Sequence, residues 1–411
     1  MYPRSVRSLI LDALGDTRVV MLVGARQVGK STLTQDIASS DHPATVINLD
    51  QRVSRDAANE DPTGFVAGIN GPVVIDEIQR APDLLFAIKE RVDRDLRPGQ
   101  FLLTGSANVF TTGQVREALT GRMETIALWP LSQAELNSAT SNIVDTLFGG
   151  WPPQVTGAPV GRAAFDSLVA ESGYPEARLR APGLRRERWF ASYVTDTLAR
   201  DLGDVSDALK LHEIPHLLRV LAAQSANELV YRRVAQRLDI DSKTVKGYVS
   251  LLEAVFLVKL LPAWRPGLSV REIHAPKVYI VDSGLLAHLV RANADRIGTD
   301  DQVTGKILEN FVAMEVLRQA EWAQMDARLY HYRHGGGEVD LILENRSAEI
   351  VAIEVKASAS IRPREYAALL KLRDARGEQF KAGIVVYTGA QTIPLSHRIW
   401  AVPLSGLWSS Q

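Results

Sequence analysis

The chain contains 411 residues, of which 46% are hydrophobic and 23% charged, and its formal net charge is −1. This length exceeds one ordinary core and predicts roughly two to four domains, while the neutral balance excludes a uniformly basic nucleic-acid-coating protein. The absence of cysteine excludes disulfides, thiolate catalysis and cysteine-ligated zinc. Because neither a long uncharged apolar run nor a signal peptide is found, we expect a cytoplasmic protein with no membrane partner.

The first informative segment is an apolar run, residues 19–23, followed by a glycine-rich turn and an amphipathic stretch. The spacing Gly24-x-x-x-x-Gly29-Lys30-Ser31 is that of a P-loop between a buried strand and a helix. In such a loop, backbone N–H groups and the helix N-terminus bind phosphate oxygens. The lysine reaches the β- and γ-phosphates, and the hydroxyl ligates Mg²⁺. The candidate nucleotide-binding residues are Gly24, Ala25, Arg26, Gln27, Val28, Gly29, Lys30, Ser31 and Thr32. We therefore predict a nucleoside triphosphate site, with Lys30 as a catalytic residue and Ser31 as a metal ligand.

Two later apolar runs each end on polar residues. The first ends on Asp76 and Glu77. It is separated from the P-loop by one strand-helix-strand interval, which is the position of a Walker B strand. Asp76 is expected to hold Mg²⁺ and to contribute to nucleotide binding, and Glu77 to polarise the attacking water. The second run ends on Thr104 and Ser106.

These segments carry a resemblance to a known family. The loop Gly-Ala-Arg-Gln-Val-Gly-Lys-Ser and the segments Asp76-Glu77-Ile78-Gln79, Leu103-Thr104-Gly105-Ser106 and Leu119-Thr120-Gly121-Arg122 resemble prokaryotic AAA-type ATPases that carry a C-terminal domain of unknown function. The similarity runs through the whole chain. It implies a P-loop domain of the AAA+ type over residues 1–137, with ATP or ADP as its ligand. Since AAA+ ATPases pair with neighbouring subunits, it also implies a homo-oligomer as a candidate state.

The resemblance also gives roles to individual residues. Ser106, or else Thr104, would be a sensor that contacts the γ-phosphate or the lytic water, and the alternative is that these residues cap the following helix. Arg122 would be a cationic sensor or arginine finger that acts within one subunit or across an interface. The alternative for Arg122 is an ordinary surface salt bridge.

Residues 138–210 are expected to form a linker and a helical lid. The stretch 138–159 is rich in Gly, Pro, Ser and Thr, which predicts a loop. In related ATPases a Gly-x-Pro at this point of the lid packs near the adenine, so Gly173, Tyr174 and Pro175 are candidate nucleotide contacts. The alternative is a helix break imposed by the proline, which needs no ligand.

Residues 211–265 have the order helix, short helix, turn, helix, strand, which is the order of a winged helix. Ser242 is expected to cap the third helix. Lys243 and Lys246 would lie on the exposed side of that helix, where phosphate contacts are made. Winged helices also serve as packing modules, so DNA or RNA binding and a packing role both stay open.

Residues 266–411 contain a helix followed by three strands joined by turns, and they resemble the PD-(D/E)xK nuclease core. This is a restriction-endonuclease-like α/β domain in which a helical Glu, a strand Asp and a Glu-x-Lys meet. By this resemblance Glu309, Asp340 and Glu354 would bind Mg²⁺, and Glu354 and Lys356, which strand alternation places on one side, would be catalytic. Val339 replaces the proline that often precedes the Asp. The alternative is an inactive domain retained for recognition or structure.

The predicted fold class is thus α/β, with a P-loop AAA+-type ATPase domain, a helical and winged-helix middle, and a C-terminal restriction-endonuclease-like domain. The predicted function is ATP hydrolysis with Mg²⁺, coupled to the winged-helix and nuclease-like domains and acting on nucleic acid. Two alternatives stay open. One is an ATP-switched regulatory or interaction module, such as a defence or toxin-type component, with an inactive nuclease-like domain; the other is a nuclease gated by ATP.

Overall fold

The computed structural model describes residues 2–105, 119–153, 155, 160, 162–203, 213–265, 274–334 and 337–409. The first layer is a parallel sheet with the strand order β2-β3-β4-β1-β5. Its strands are β1 (Val19–Val23), β2 (Thr45–Asn48), β3 (Val73–Asp76), β4 (Phe101–Gly105) and β5 (Met123–Ala127). The three central strands β1, β3 and β4 are buried throughout, because helices cover both faces of the sheet.

The helices of this layer are α1 (Val6–Asp16), α2 (Lys30–Ser39), α3 (Arg52–Glu60), α4 (Pro62–Ala67) and α5 (Leu84–Arg94). Alternate residues of β1 point to opposite faces, as the period of a strand requires. Val20 and Leu22 belong to the apolar cluster that includes α1 and α2, whereas Val19 and Met21 belong to the cluster that includes α5. The sheet is therefore sandwiched, and its carboxyl-terminal edge carries the P-loop.

The next segment contains short helices that lead to a long one. They are α6 (Gln133–Leu136), α7 (Ile143–Phe148), α8 (Arg162–Ala170), α9 (Pro175–Arg178) and α10 (Leu184–Gly203). The expectation of a loop over 138–159 is wrong for α7, whose apolar residues Ile143, Val144, Leu147 and Phe148 are buried. Asn142 caps this helix by accepting from the backbone N–H of Val144, so the polar residues before it mark a helix start.

The middle part contains α11 (Ile214–Ala223), β6 (Asn227–Glu228), α12 (Tyr231–Leu238), α13 (Ser242–Ala254), β7 (Val258–Leu261) and β8 (Lys277–Ile280). The three strands form an antiparallel sheet in the order β6-β8-β7. The boundary expected after residue 265 therefore falls within this sheet. The cap of α13 is Asp241 and not Ser242, because the Asp241 carboxylate accepts from the backbone N–H groups of Lys243 and Thr244, both at 2.8 Å.

The last part begins with α14 (Ser283–Leu289), α15 (Ala294–Thr299) and α16 (Asp301–Ala320), and α17 (Ala367–Arg376) follows later. Its strands are β9 (Ala327–His334), β10 (Gly337–Asn345), β11 (Ile350–Val355), β12 (Phe380–Tyr387), β13 (Ile393–Ser396) and β14 (Ile399–Pro403). They form a mixed sheet in the order β13-β14-β12-β11-β10-β9. β13 and β14 follow β12 in the chain and extend the sheet beyond it.

Helix α16 packs against α7 and α8 of the helical segment, β8 of the middle part, and β9 and β11 of the last part. It is buried along most of its length, including the polar residues Asn310, Glu315, Arg318 and Gln319. One continuous apolar cluster reaches from Val6 through the lid and the middle part to the C-terminal sheet. Because the three parts share this core, buried polar groups on α16 can connect the elements that surround it.

Candidate functional site: the P-loop cavity and a carboxylate cluster

The P-loop connects β1 to α2 and forms one wall of a cavity of about 570 Å³. Lys30 is almost fully buried, and its ammonium donates to the carbonyl oxygens of Gly24 and Ala25, each at 2.9 Å. Gly29 has φ 99°, which favours glycine, and a Cβ atom on Gly24 would lie 2.2 Å from the carbonyl oxygen of Leu128. The loop residues that line the cavity are Arg26, Gln27, Val28, Gly29, Lys30, Ser31 and Thr32. Gly24 and Ala25 contribute by holding the lysine.

At the carboxyl-terminal edge of the sheet, Asp76 at the end of β3 contacts Ser31 at the start of α2. The Ser31 hydroxyl donates to Oδ1 of Asp76 at 3.0 Å, and the Thr104 hydroxyl donates to the same oxygen. Thr104 occupies this position because β4 lies between β1 and β3. A hydroxyl and a buried carboxylate side by side are the hard oxygen ligands that Mg²⁺ prefers, so Ser31 and Asp76 fit the metal expected here.

Glu77 follows directly in a left-handed conformation, φ 61°, and lines the same cavity. Its backbone N–H donates to the Thr104 hydroxyl at 3.1 Å, and its carboxylate accepts from the side-chain amide of Gln79. Thr104 thus connects Asp76 and Glu77, a contact that neither the sensor nor the capping hypothesis included. Ser106 lies outside the described residues.

The helices α9 and α10, in the segment expected to be a lid, form the opposite wall of the cavity. Pro175 and Glu176 of α9 line it, and so do residues of α10 spaced at three, four and seven positions, which are Tyr193, Asp196, Thr197 and Arg200. This spacing places the four side chains on one helix face, and it is the sequence signal that was missed. The Tyr193 hydroxyl lies 3.1 Å from the hydroxyl of Tyr174 and 3.4 Å from the carbonyl oxygen of Arg26. Tyr174 itself is buried, and burial raises its pKa.

Gly173 supports the cavity from behind. Its carbonyl accepts from the backbone N–H of Leu131 at 2.8 Å, and its own N–H donates to Asp282 at 2.7 Å. A Cβ atom on Gly173 would lie 2.4 Å from the carbonyl oxygen of Leu131, which is itself a cavity residue. Of the three expected lid contacts, Pro175 lines the cavity. Gly173 permits the close packing of the segment behind it, and Tyr174 contacts the cavity residue Tyr193.

Arg4, which the sequence did not single out, fastens the P-loop to the sheet. Its guanidinium donates to the carbonyl oxygens of Val28 at 2.7 Å and Trp129 at 2.6 Å, and to Glu135 at 3.0 Å. Arg4 also lines the cavity. Since its carboxylate partner lies 131 positions away in the chain, no local pattern could have indicated this role.

Arg122 does not lie at the P-loop cavity of its own chain, where a sensor acting within one subunit would be. It donates to both carboxylate oxygens of Asp93, at 2.5 and 2.9 Å, and does not line the cavity in the described part of the chain. The pair is partly solvent-exposed, and the Arg122 guanidinium lowers the pKa of Asp93. Within one chain, Arg122 therefore forms the surface salt bridge that was the alternative.

A second cluster lies where β8, α16 and β10 meet. The ammonium of Lys277 lies 2.8 Å from Glu309, 3.0 Å from Glu338 and 3.2 Å from Asp340. Burial alone would lower the pKa of Lys277, but the three carboxylates raise it above its ordinary value. The Tyr279 hydroxyl also donates to Glu309 at 2.9 Å. Lys277 was not a predicted site residue, because it precedes Asp340 by 63 positions on a strand assigned to no site.

The remaining nuclease-like residues complete this cluster. Glu354 and Lys356 do lie together, with 2.5 Å between carboxylate and ammonium, and the other oxygen of Asp340 accepts from the backbone N–H of Val355 at 2.9 Å. Burial, and then the neighbouring Asp340, raises the pKa of Glu354. Within the described residues, no group of three or more His, Asp and Glu side chains is arranged to hold a metal ion. The donor set does not fit the expected Mg²⁺, because a lysine ammonium already occupies the place where Glu309 and Asp340 converge.

Three family models match the chain. Residues 16–137 match an AAA domain, residues 162–296 match a domain of unknown function (DUF8612), and residues 304–407 match another domain of unknown function (DUF4143). The N-terminal part is an AAA-type, ATP-binding domain. The other two matches carry no functional description, and they leave the winged-helix and nuclease-like interpretations as proposals.

Two similar chains are uncharacterized proteins of Mycobacterium bovis and Mycobacterium tuberculosis. Each is 29% identical over 405 residues, which cover 97% of this chain and 83% of the relative. Among solved structures, a RuvB variant of Thermotoga maritima is 18% identical, with a TM-score of 0.27 and coverage of 62% of this chain and 86% of that one. AMPPCP-bound DnaA of Aquifex aeolicus is 14% identical, with a TM-score of 0.27 and coverage of 61% and 86%. TM-scores this low do not establish a shared fold.

Across the described ranges, no helix combines the length and the apolar character that crossing a membrane requires.

Proposed function

We propose that the AAA-type domain hydrolyses ATP with Mg²⁺. The observation that carries this proposal is the chain of contacts from Ser31 through Asp76 and Thr104 to Glu77 beside the P-loop cavity. It joins candidate metal ligands to a carboxylate that lines the cavity beside them. A site that only bound nucleotide would not require that carboxylate, so the arrangement favours turnover.

In this proposal each residue has a separate task. The P-loop N–H groups and the Lys30 ammonium bind the phosphates and stabilise negative charge on them. Ser31 and Asp76 would hold Mg²⁺, which would supply further positive charge to stabilise the phosphates. Glu77 orients and polarises water for attack, and Gln79 fixes the position of its carboxylate. The lid face of α10 covers the opposite side and limits access of bulk water.

Two variants separate binding from hydrolysis. Lys30→Ala removes the phosphate-binding ammonium and is expected to abolish both ATP binding and phosphate release. Glu77→Gln keeps the shape of the side chain and is expected to bind ATP while releasing little phosphate. Lys89→Ala on α5, which does not line the cavity, is the control and is expected to behave like the unmodified protein. Mg²⁺-dependent phosphate release that persists in Lys30→Ala would contradict the proposal.

We further propose that the middle part is a winged helix that binds nucleic acid. The order α11, β6, α12, α13, β7, β8 and the pairing β6-β8-β7 support the fold. The buried residues of α13 are Val245, Tyr248, Val249 and Leu252, which leaves Lys243 and Lys246 exposed on the other side. Exposed cations on α12 add to this charge, and they are Arg232, Arg233 and Arg237.

Fluorescence anisotropy with labelled DNA and RNA duplexes and single strands tests this second proposal. Lys246→Glu should weaken binding and reduce the salt dependence of log K by roughly the equivalent of one phosphate contact. Arg94→Glu on α5 changes the net charge equally at an exposed position outside this surface and should leave binding unchanged. Equal weakening by both variants would indicate only a nonspecific charge effect.

For the C-terminal part we propose a restriction-endonuclease-like domain that does not cut. The order α16, β9, β10, β11, α17, β12 and the convergence of Glu309, Asp340, Glu354 and Lys356 support the fold. The ammonium of Lys277 within the same cluster favours the inactive alternative over a nuclease gated by ATP. No phosphodiester cleavage of DNA or RNA is expected with Mg²⁺ or Mn²⁺, whether or not ATP is added.

A further inference from the structure

We infer that Lys277 is the resident cation of the C-terminal carboxylate cluster, and that its ammonium takes the place of a divalent metal ion between Glu309 and Asp340. The inference concerns a different site from the ATPase and is independent of ATP hydrolysis. It gives the inactive form of the C-terminal domain a specific cause: the chain supplies its own positive charge where a metal-dependent nuclease would bind its metal.

The geometry of the ammonium matches its surroundings. Three carboxylates lie 2.8 to 3.2 Å from Nζ of Lys277, and an ammonium has three N–H donors. The Lys277 side chain is 2% exposed. A buried charge needs such partners, because removing an unpaired charge from water is strongly unfavourable. The buried ammonium of Lys277 is thus paired with carboxylates, as a resident cation requires.

A divalent ion would need different distances and a different charge. Mg²⁺ is ligated by oxygen atoms at about 2.0–2.1 Å, whereas these carboxylates are spread around a nitrogen at hydrogen-bonding distance. Lys277 and a divalent ion would also repel each other across the same few ångströms. The ion can enter only if the lysine leaves.

The strand that carries Lys277 is held in place on both sides. β8 pairs with β6 and with β7. Asn310 of α16 accepts from the backbone N–H of Ile280 at 2.8 Å and donates to the carbonyl oxygen of the same residue at 2.9 Å. Ser225 donates to Asn310 at 2.7 Å. The lysine therefore belongs to a strand that is clamped to the same helix as Glu309, and side-chain movement alone is required to free the site.

The other half of the cluster is occupied in the same way. Glu354 pairs with Lys356, and these two residues border a second cavity of about 470 Å³ that also receives Glu338, Arg364 and Lys371. Cations thus accompany the carboxylates on both sides of Asp340. Neither half presents a group of oxygen ligands free of a lysine.

Mn²⁺ binding to the full-length protein tests the inference. Electron paramagnetic resonance counts the Mn²⁺ ions bound per chain. The unmodified protein and Asp340→Asn are expected to bind the same number, because no Mn²⁺ site of the unmodified protein depends on Asp340. Lys277→Met keeps an unbranched side chain, one atom shorter, but removes its charge, and it should gain one Mn²⁺ site per chain. That gain should disappear in the double variant Lys277→Met/Asp340→Asn, while ATP hydrolysis stays unchanged throughout. A Mn²⁺ site that depends on Asp340 in the unmodified protein, or a folded Lys277→Met that gains none, would overturn the inference.

A second measurement uses the unmodified protein and does not depend on the folding of Lys277→Met. Reductive methylation followed by mass spectrometry reports which lysines are accessible. Lys277 is expected to be protected, and millimolar Mn²⁺ should leave that protection unchanged, whereas the exposed Lys246 should react under both conditions. Labelling of Lys277 that rises when Mn²⁺ is added would mean that a metal displaces the ammonium, which contradicts the inference.

Discussion

Replacing Thr104 by valine tests whether this side chain organises the hydrolytic carboxylates. Thr104 is fully buried at the end of β4. Its hydroxyl donates to Asp76 and accepts from the backbone N–H of Glu77 at 3.1 Å. Valine has nearly the same shape, so Thr104→Val removes both hydrogen bonds while leaving the packing of the strand in place.

The expected magnitude follows from the groups that lose a partner. A hydrogen bond to a charged group is worth about 1.5–3 kcal/mol, and a buried N–H left unpaired costs about 1–3 kcal/mol. Both losses fall on residues proposed to act in hydrolysis, and the P-loop N–H groups proposed to bind phosphate are untouched. Since about 1.4 kcal/mol corresponds to tenfold in rate, we expect kcat to fall about 10- to 100-fold. The Mg²⁺ concentration for half-maximal rate should rise, while the Kd for ATP changes little.

Steady-state phosphate release, titrated with ATP and with Mg²⁺, gives kcat and the metal dependence, and a fluorescent ATP analogue gives Kd. Thr304→Val is a matched control: Thr304 is equally buried, and its hydroxyl donates to backbone carbonyls, including that of Asp300 at 2.9 Å, in a helix outside the cavity. It should leave kcat unchanged. Thr104→Val that keeps the original kcat and Mg²⁺ dependence, or that loses only ATP affinity, would refute the reasoning.

Three further variants test the support of the cavity and one buried histidine. Arg4→Lys cannot reproduce the forked contacts to the loop, so the Kd for ATP should rise about tenfold. Gly173→Ala places a Cβ 2.4 Å from the carbonyl oxygen of Leu131, and the displaced segment should raise KM and lower Tm. Burial lowers the pKa of His331 from 6.5 to about 4. The unfolded chain therefore takes up that proton first as the pH falls, and stability should drop by up to about 3 kcal/mol between these values, a drop that His331→Asn lacks.

Each of these variants has a control. Arg7→Lys alters a neighbouring arginine that pairs with Asp36 and Asp41 outside the cavity, and a similar rise in Kd there would discredit the role of Arg4. Gly247→Ala lies on a helix with nothing within 4 Å of the added Cβ, so it should not lower Tm. For His331, the two pH profiles of denaturant unfolding are subtracted, and parallel profiles would show that the histidine does not contribute.

The nucleotide site could be predicted from sequence to the extent that its parts are contiguous. A strand end, a turn and a helix start lie within one short segment around Lys30. The sequence motif therefore determines the local geometry of the site. The same holds for Asp76 and Glu77 at the end of β3. The AAA domain match over residues 16–137 agrees with this assignment. Local motifs succeed because secondary structure fixes the distance between their residues.

The contacts that were missed join elements far apart in the chain. Arg4 reaches Glu135, and Lys277 reaches Asp340, through tertiary packing that leaves no periodic or spacing pattern in the sequence. The Gly-x-Pro motif predicted that Gly173 contacts the adenine. The structure shows instead that a glycine is needed there because the backbone of Leu131 approaches closely. The sequence pattern predicted that Glu354 and Lys356 lie together, but it could not predict that Lys277 on β8 joins the same cluster.

Helix α16 is the element through which nucleotide binding would act on the C-terminal cluster. Near its end, the buried Glu315 accepts from the backbone N–H groups of Gln133 at 2.8 Å and Ala134 at 3.1 Å, next to the cavity residue Leu131. A buried carboxylate that lost these donors would be left unsatisfied at a cost of several kcal/mol, so a shift of this segment should carry α16 with it. Earlier on the same helix, Asn310 holds β8.

ATP should therefore change amide hydrogen exchange at residues 277–280 although they lie outside the cavity. Glu315→Ala should remove that change while retaining ATP binding, and Asp301→Ala at the exposed start of the same helix should retain both. If ATP leaves exchange at β8 unaltered in the unmodified protein, the two sites are uncoupled. The connection consists of buried polar groups and not of a flexible linker. We therefore expect a small displacement at Leu131 to move β8 as well, because closely packed buried groups leave side chains little room to rotate.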